Sequence, residues 1–210
     1  MGECMITKIV RDLDEILDLI IDDAQIVAIF QGKGEWGPRA LGNRSILFDP
    51  THPEAKQIVN HVKKREVYRP FAGSVMAEHA HEYFHMLQLK ESPWMSFAIQ
   101  AKDIAYEKVP TLVHADGTCR IQTVTEEQNK NYYNLIKGFY ERTGVPMIFN
   151  TSFNLGGEAL VETIEDAIDT CNRSEINHLY VPEDQDIYIP EHLLRFKKLE
   201  DVNVNSNAND

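Results

Sequence analysis

Three short apolar runs constrain this chain most: residues 26–30 (IVAIF), 71–76 (FAGSVM) and 146–149 (PMIF). Each is too short for a helix and apolar on both alternating sides, the pattern of a strand buried within a sheet. Each also borders a polar segment dense in glycine, arginine, lysine or asparagine. Between them lie stretches of helical periodicity. Leu13, Ile16, Leu17 and Ile20 share one face of a helix over 11–22. Residues 51–66 read as a helix capped by Thr51 with Pro53 in its first turn. Residues 77–85 read as another. Tyr133, Ile136, Phe139 and Tyr140 recur along a helix over 126–142 that Gly144 ends. Thr163 and Asp166 cap a helix over 163–173. Further strands are expected at 45–48, 94–100, 119–124, 178–181 and 186–189. This order predicts one α/β domain over residues 1–198, followed by a polar, disordered tail at 199–210.

Charge narrows the function. The chain carries −12 overall, which argues against direct nucleic-acid binding. Residues 31–72 nevertheless hold eight Lys/Arg against four Asp/Glu, a basic island in an acidic chain. Such an island suits a small polyanion; the plain alternative is that its cations pair with acids elsewhere in the fold. No apolar run reaches the about 18 residues of a membrane span, and the N-terminus lacks a secretory pattern. Three scattered cysteines form no CxxC, so no metal site or disulfide framework is expected, and a reducing cytoplasm fits.

Four segments could hold chemistry. QGKGEWGPRALGNRS (31–45) sets four glycines beside Lys33, Arg39 and Arg44; glycines let backbone N–H groups approach an anion and arginine forks grip its oxygens. It lacks the Walker A and GxGxxG patterns, so it could equally be a tight turn with solvated cations. VKKREVYRPFAGS (62–74) packs Lys63, Lys64, Arg65 and Arg69 into seven residues, with Arg69 the cation expected to point inward. A cation there can also complement a helix end. HADGTCRIQTV (114–124) places Arg120 in a strand, where a salt bridge is the ordinary role. FNTSFNLGGE (149–158) offers Asn150, Thr151, Ser152 and Asn154 in a loop at a strand end, a position that suits ligand binding as well as a plain turn. HEYFH (81–85) matches the zinc-protease pattern HExxH, but no third ligand follows, so these are read as surface histidines.

In this order the four segments resemble the C-terminal domain of the carbamoyltransferases that act on nodulation factors and antibiotics. The resemblance covers about residues 26–180, and GPRALGNRS and NTSFN followed by GE are its most specific strings. It implies a YrdC-like fold: a twisted mixed α/β sheet with flanking helices and an open basic concave face. It also implies ATP, Mg²⁺ and carbamoyl phosphate as ligands. In that family carbamoyl phosphate loses its phosphate, the carbamate attacks the α-phosphorus of ATP, and pyrophosphate leaves. The carbamoyl adenylate then passes to a Kae1-like domain, where an acceptor hydroxyl takes the carbamoyl group. By this resemblance Lys63 and Arg69 hold carbamoyl phosphate or neutralise the α-phosphate, with Lys64 competing for the position of Lys63. Arg39 and Arg120 clamp phosphate oxygens. Ser152, with Asn150, Thr151 and Asn154, bonds the nucleotide or the carbamoyl amide; Lys33 and Arg44 support them. Gly73 and Cys119 depart from the family's usual Pro and Ala. A Kae1-like domain has no room upstream, so a partner domain or subunit is expected to supply it. The alternative is a non-catalytic nucleotide-binding module of the same fold.

Overall fold

The computed structural model describes residues 7–37, 39–182, 184 and 187. Among them, eight strands form one mixed sheet: β1 (Lys8–Val10), β2 (Val27–Phe30), β3 (Arg44–Phe48), β4 (Ala72–Met76), β5 (Ala98–Gln100), β6 (Thr118–Val124), β7 (Met147–Ser152) and β8 (His178–Tyr180). Their order is β1-β8-β2-β3-β7-β4-β6-β5. Helices α1 (Leu13–Ile21), α2 (Ala55–Val62), α3 (Ala80–Tyr83), α4 (Asp103–Lys108), α5 (Lys130–Thr143) and α6 (Ile164–Asn172) flank it. Every residue of β2, β3 and β4 is buried, which explains the apolar runs of β2 and of residues 46–48 in β3.

Local chemistry fixes the helix ends. Asp12 caps α1 by accepting the Glu15 N–H at 2.8 Å. Thr163 and Asp166 form the expected reciprocal cap of α6. Arg142 on α5 bridges Asp14 and Asp18 on α1 at 2.7 and 2.5 Å, fastening two helices whose apolar faces bury Ile16, Leu17, Leu135 and Phe139.

Register sets up the functional face. Asn150 of β7 pairs with Ala72 of β4, which pairs with Arg120 of β6. Ser74 pairs with Gln122 one step along. Side chains in register share a sheet face, so a row of polar groups crosses the interior of an otherwise apolar sheet.

Several boundaries differ from expectation. The helix expected over 51–66 is confined to α2, because Thr51 bonds Asp49 through its N–H and hydroxyl, each at 2.7 Å, rather than capping the helix. The helix expected over 77–85 breaks into a 3-10 turn and α3, after which Phe84 is extended and bridges to Ala101. The strand expected over 94–100 shortens to β5. Asn150, Thr151 and Ser152 lie in β7 and not in a loop, because they pair with β3. β1 and α4 were not anticipated. Cys4, the tail at 199–210 and, Ile187 apart, the strand expected at 186–189 fall outside the described residues. No helix among the described residues is long and apolar enough to cross a membrane.

Candidate active site

The glycine-rich loop folds around its own carboxylate. Glu35 accepts the N–H groups of Leu41, Asn43 and Arg44 at 2.8, 3.0 and 3.1 Å. Three of the loop amides that could greet a foreign anion are thus occupied. Burial raises the Glu35 carboxyl, while the three N–H groups and the Arg44 charge oppose that rise. Gly42 serves packing: at φ +106 a side chain is strained, and a Cβ there would stand 2.3 Å from Cδ1 of Tyr132. Arg44 is buried, donating to the carbonyls of Gln31 and Asn43 at 2.6 and 2.9 Å and lying 3.6 Å over the Phe30 ring. Lys33 is exposed, and its carbonyl accepts from Asn43. Neither Lys33 nor Arg44 lines the cationic cavities described below.

The second segment turns inward at different residues than its sequence suggested. α2 ends at Lys63, which is 2% exposed. Its ammonium donates to the Ser152 carbonyl, to Ser152 Oγ at 3.2 Å and to Asn154 Oδ1 at 3.0 Å. Lys64 adopts a left-handed φ of 52, reversing the chain, and its amine reaches outward to the Arg173 carbonyl at 3.0 Å. Lys63 therefore takes the inner position. Arg65 follows it inward, with Nε donating to Asn60 Oδ1 at 2.6 Å and its guanidinium 4.2 Å from the centre of the Phe71 ring. Arg69 sits at the rim, about half exposed and paired with Glu66 at 2.7 Å.

Two residues hold this loop. Asn60, fully buried, donates to the carbonyls of Val67 and Arg69 at 3.1 and 3.3 Å while accepting from Arg65. Gly156 donates its N–H to the Lys63 carbonyl at 2.8 Å, and a Cβ on it would stand 2.9 Å from the Lys64 carbonyl oxygen. Only glycine lets these backbones approach so closely.

The cations meet around two adjoining cavities. The outer, of about 710 Å³, is lined by Lys63, Arg65, Arg69, Ser152 and Asn154 among others. The inner, of about 150 Å³, is lined by Arg39, Arg65, Arg120, His114, Asn150 and Thr151, with Ser152 at the shared edge. Arg65 and Ser152 border both. Crowding of positive charge shows in the titrations. Burial, and then the charge of Arg65, lower the Lys63 ammonium to about 7. Burial and Arg69 lower the Arg65 guanidinium to about 10, with Glu66 opposing. Burial, then Arg120, lower that of Arg39. Cations held at such cost mark a place prepared for negative charge.

Of the residues singled out in the sequence, the fold brings together Lys63, Arg69, Ser152 and Asn154 around one cavity and Arg39, Arg120, Asn150 and Thr151 around its neighbour. Arg65 was named among the four cations of its segment but given no role, and Asn60 and His114 were missed. His114 Nε2 donates to the Phe71 carbonyl at 3.0 Å, which leaves Nδ1 facing Thr118 Oγ1 at 3.4 Å. The usable signal for Arg65 was its place two residues after Lys63, on the far side of a reversal. His81 and His85 share no helix face, because α3 ends at Tyr83. Among the described residues no three His, Cys, Asp or Glu side chains gather as a metal site. Cys119 is buried and its thiol is pushed up to about 12, which removes it as a nucleophile.

Comparison with known proteins agrees with this architecture. The chain is 42% identical over 163 residues to the nodulation protein NolNO of Sinorhizobium fredii, a match covering 77% of this chain and 24% of that protein. It is 33% identical over 157 residues to the 3'-hydroxymethylcephem-O-carbamoyltransferase of Amycolatopsis lactamdurans, covering 75% of this chain and 29% of that one. It spans roughly a quarter of the length of these relatives. Its fold matches that of full-length HypF, solved in a phosphate- and nucleotide-bound form, with a TM-score of 0.59 at 19% identity over 85% of this chain and 26% of that one. The mixed α/β sheet with flanking helices expected from the resemblance is the fold present. The family model described as carbamoyltransferase C-terminus matches residues 19–185, and the chain belongs to that family.

Proposed function

We propose that this domain activates carbamoyl phosphate with ATP. Water converts carbamoyl phosphate to carbamate and inorganic phosphate. A carbamate oxygen then attacks the α-phosphorus of ATP, the bond to the β-phosphate oxygen breaks, and pyrophosphate leaves. Carbamoyl adenylate remains. A Kae1-like domain or subunit then delivers the carbamoyl group to an acceptor hydroxyl, in the reducing cytoplasm.

The observation that supports this reading is the convergence of Lys63, Arg65, Arg69, Arg39 and Arg120 on two cavities joined at Arg65 and Ser152. Two phosphorylated ligands repel one another, and bringing them together requires opposing charge in a site of reduced dielectric. Displacement at phosphorus asks the protein for positioning and neutralisation more than for a nucleophile. On this reading Arg39 and Arg120 grip phosphate oxygens in the inner cavity. Lys63 and Arg65 stand between the ligands, near the α-phosphorus. Ser152 and Asn154 hold the Lys63 ammonium and face the nucleotide.

Magnesium does not fit the residues present. Among the described residues Glu66 is the one carboxylate lining either cavity, and Arg69 engages it at 2.7 Å. Mg²⁺ therefore arrives on the phosphates of ATP, as part of the substrate.

Pyrophosphate release from ATP, with and without carbamoyl phosphate, tests the proposal. Release that depends on carbamoyl phosphate is expected, and Lys63→Ala or Arg120→Ala should lower it by at least about 10-fold, the worth of one charge-assisted contact. ATP binding without release would assign the chain as a non-catalytic nucleotide-binding module, and full turnover in both variants would refute the site.

A further inference from the structure

Arg65 stands near the start of the segment that joins α2 to β4, and Phe71 stands at its end. The two meet face to face. The Arg65 guanidinium lies 4.2 Å from the centre of the Phe71 ring, an attractive contact between a cation and an aromatic face. That ring in turn lies 4.4 Å from the ring of Phe149 on β7. One edge of the guanidinium is held, because Nε donates to Asn60 Oδ1 at 2.6 Å. Nη2 is buried and donates to no protein atom. Buried cationic donors are ordinarily paired, so this one asks for an anion. Arg65 borders both cavities, so the seat of the Phe71 ring decides where its charge stands between them.

Phe71 is held from the side of β6. His114 Nε2 lies 3.0 Å from the Phe71 carbonyl oxygen. A carbonyl only accepts, so Nε2 carries a proton and donates it. The imidazole itself is fixed by the turn before β6. The His114 N–H donates to the Thr118 carbonyl at 2.7 Å, and the His114 carbonyl accepts from the Gly117 N–H at 2.9 Å. Asp116 Oδ1 accepts the N–H and the hydroxyl of Thr118 at 3.0 and 2.8 Å. Thr118 Oγ1 thereby stands 3.4 Å from His114 Nδ1. Contacts therefore run unbroken from the Asp116 turn through His114 and Phe71 to Arg65.

We propose that His114 is a positioning residue for the displacement at phosphorus: by holding the Phe71 carbonyl it seats the Phe71 ring beneath Arg65, and so sets the guanidinium where the two cavities meet. This rests on the function proposed above and goes beyond it, because it adds a residue that acts through Arg65 and not on a ligand. A shift of about 1 Å in a group that neutralises charge in the transition state can cost about 100-fold in rate.

A double-mutant cycle on pyrophosphate release from ATP with carbamoyl phosphate tests the inference. His114→Leu keeps the bulk and loses the donor, so the rate should fall by about 10-fold or more. His114→Gln places an N–H at about the reach of Nε2 and should stay within about threefold of wild type. Arg65→Ala should lower the rate by at least about 10-fold. Adding His114→Leu to Arg65→Ala should then change the rate by less than about twofold, because no guanidinium remains to be misplaced. Should His114→Leu fail to fold, His114→Asn carries the same test, since its shorter amide stops short of the Nε2 position. Losses that multiply in the double variant would overturn the inference by making His114 merely structural. A wild-type rate in His114→Leu, or an equal loss in His114→Gln, would also overturn it, and each of these results leaves the proposed function standing. Absence of carbamoyl phosphate-dependent release in wild type would overturn the inference and the proposed function together.

Discussion

Binding of a polyanion should drive a proton onto Lys63. The unliganded ammonium is lowered from 10.5 to about 7 by burial and by Arg65. At pH 8 such an amine is about one-tenth protonated. A phosphate in the outer cavity supplies negative charge that opposes both the burial penalty and the Arg65 charge, raising the ammonium again. Uptake should then approach about 0.9 proton per site at pH 8. Calorimetric titration with ATP at pH 8 in two buffers of widely different ionisation enthalpy measures this, because the slope of the observed enthalpy counts the protons taken up. Lys63→Met should abolish the slope. The sign of the stability change follows from the same numbers. The folded value lies below the unfolded one, so the unfolded chain binds the extra proton between pH 7 and about 10.5, and stability rises with pH across that window. The gain amounts to the order of 5 kcal/mol for the lysine taken alone, and it is lost as pH falls through about 7. Denaturant titrations should show the rise in wild type and not in Lys63→Met. A buffer-independent enthalpy at pH 8, or an equal slope in the variant, would refute the reasoning.

Other consequences follow from the supports of the site. Asn60→Leu leaves the Val67 and Arg69 carbonyls and Arg65 Nε without their partner; chemical denaturation should show a loss of about 2–3 kcal/mol, and ATP affinity should fall with it. Gly156→Ala forces a Cβ against the carbonyls of Lys64 and Lys63 at 2.9 and 3.1 Å; circular dichroism should be unchanged while ATP affinity drops by about 10-fold or more through displacement of Lys63. Lys33→Ala should leave ATP affinity within about twofold, as expected of an exposed side chain outside the cavities. Arg44→Met should instead lower stability by about 2–4 kcal/mol, since it strands the Gln31 and Asn43 carbonyls, and this appears as a lower denaturation midpoint.

The sequence made the apolar half of the fold readable and disguised the polar half. β2, β4, α1, α5 and α6 announce themselves because their periodicity is that of buried faces. Asn150, Thr151 and Ser152 look like a loop because they are polar, yet they complete a strand by pairing with β3, and all three border the inner cavity. β1 is three residues long and gains its place through pairing with β8, which no local pattern encodes. In the glycine-rich loop, residue types fit both a phosphate cradle and a self-capped turn. Glu35 decided between them by closing on three backbone N–H groups, a tertiary event that composition does not reveal. Among the adjacent cations, the inward ones depend on the reversal at Lys64. Helical extrapolation through 66 could not foresee that Lys63 and Arg65 would turn in while Arg69 stayed at the rim.

A crystal structure with carbamoyl phosphate and a non-hydrolysable α,β-methylene analogue of ATP tests the central claim most directly. The account predicts two phosphorylated ligands side by side, with phosphate oxygens within hydrogen-bonding distance of Lys63 or Arg65 on one side and of Arg39 or Arg120 on the other. Phosphates seated instead on the Lys33 loop, or in cavities that none of these four side chains reaches, would contradict it.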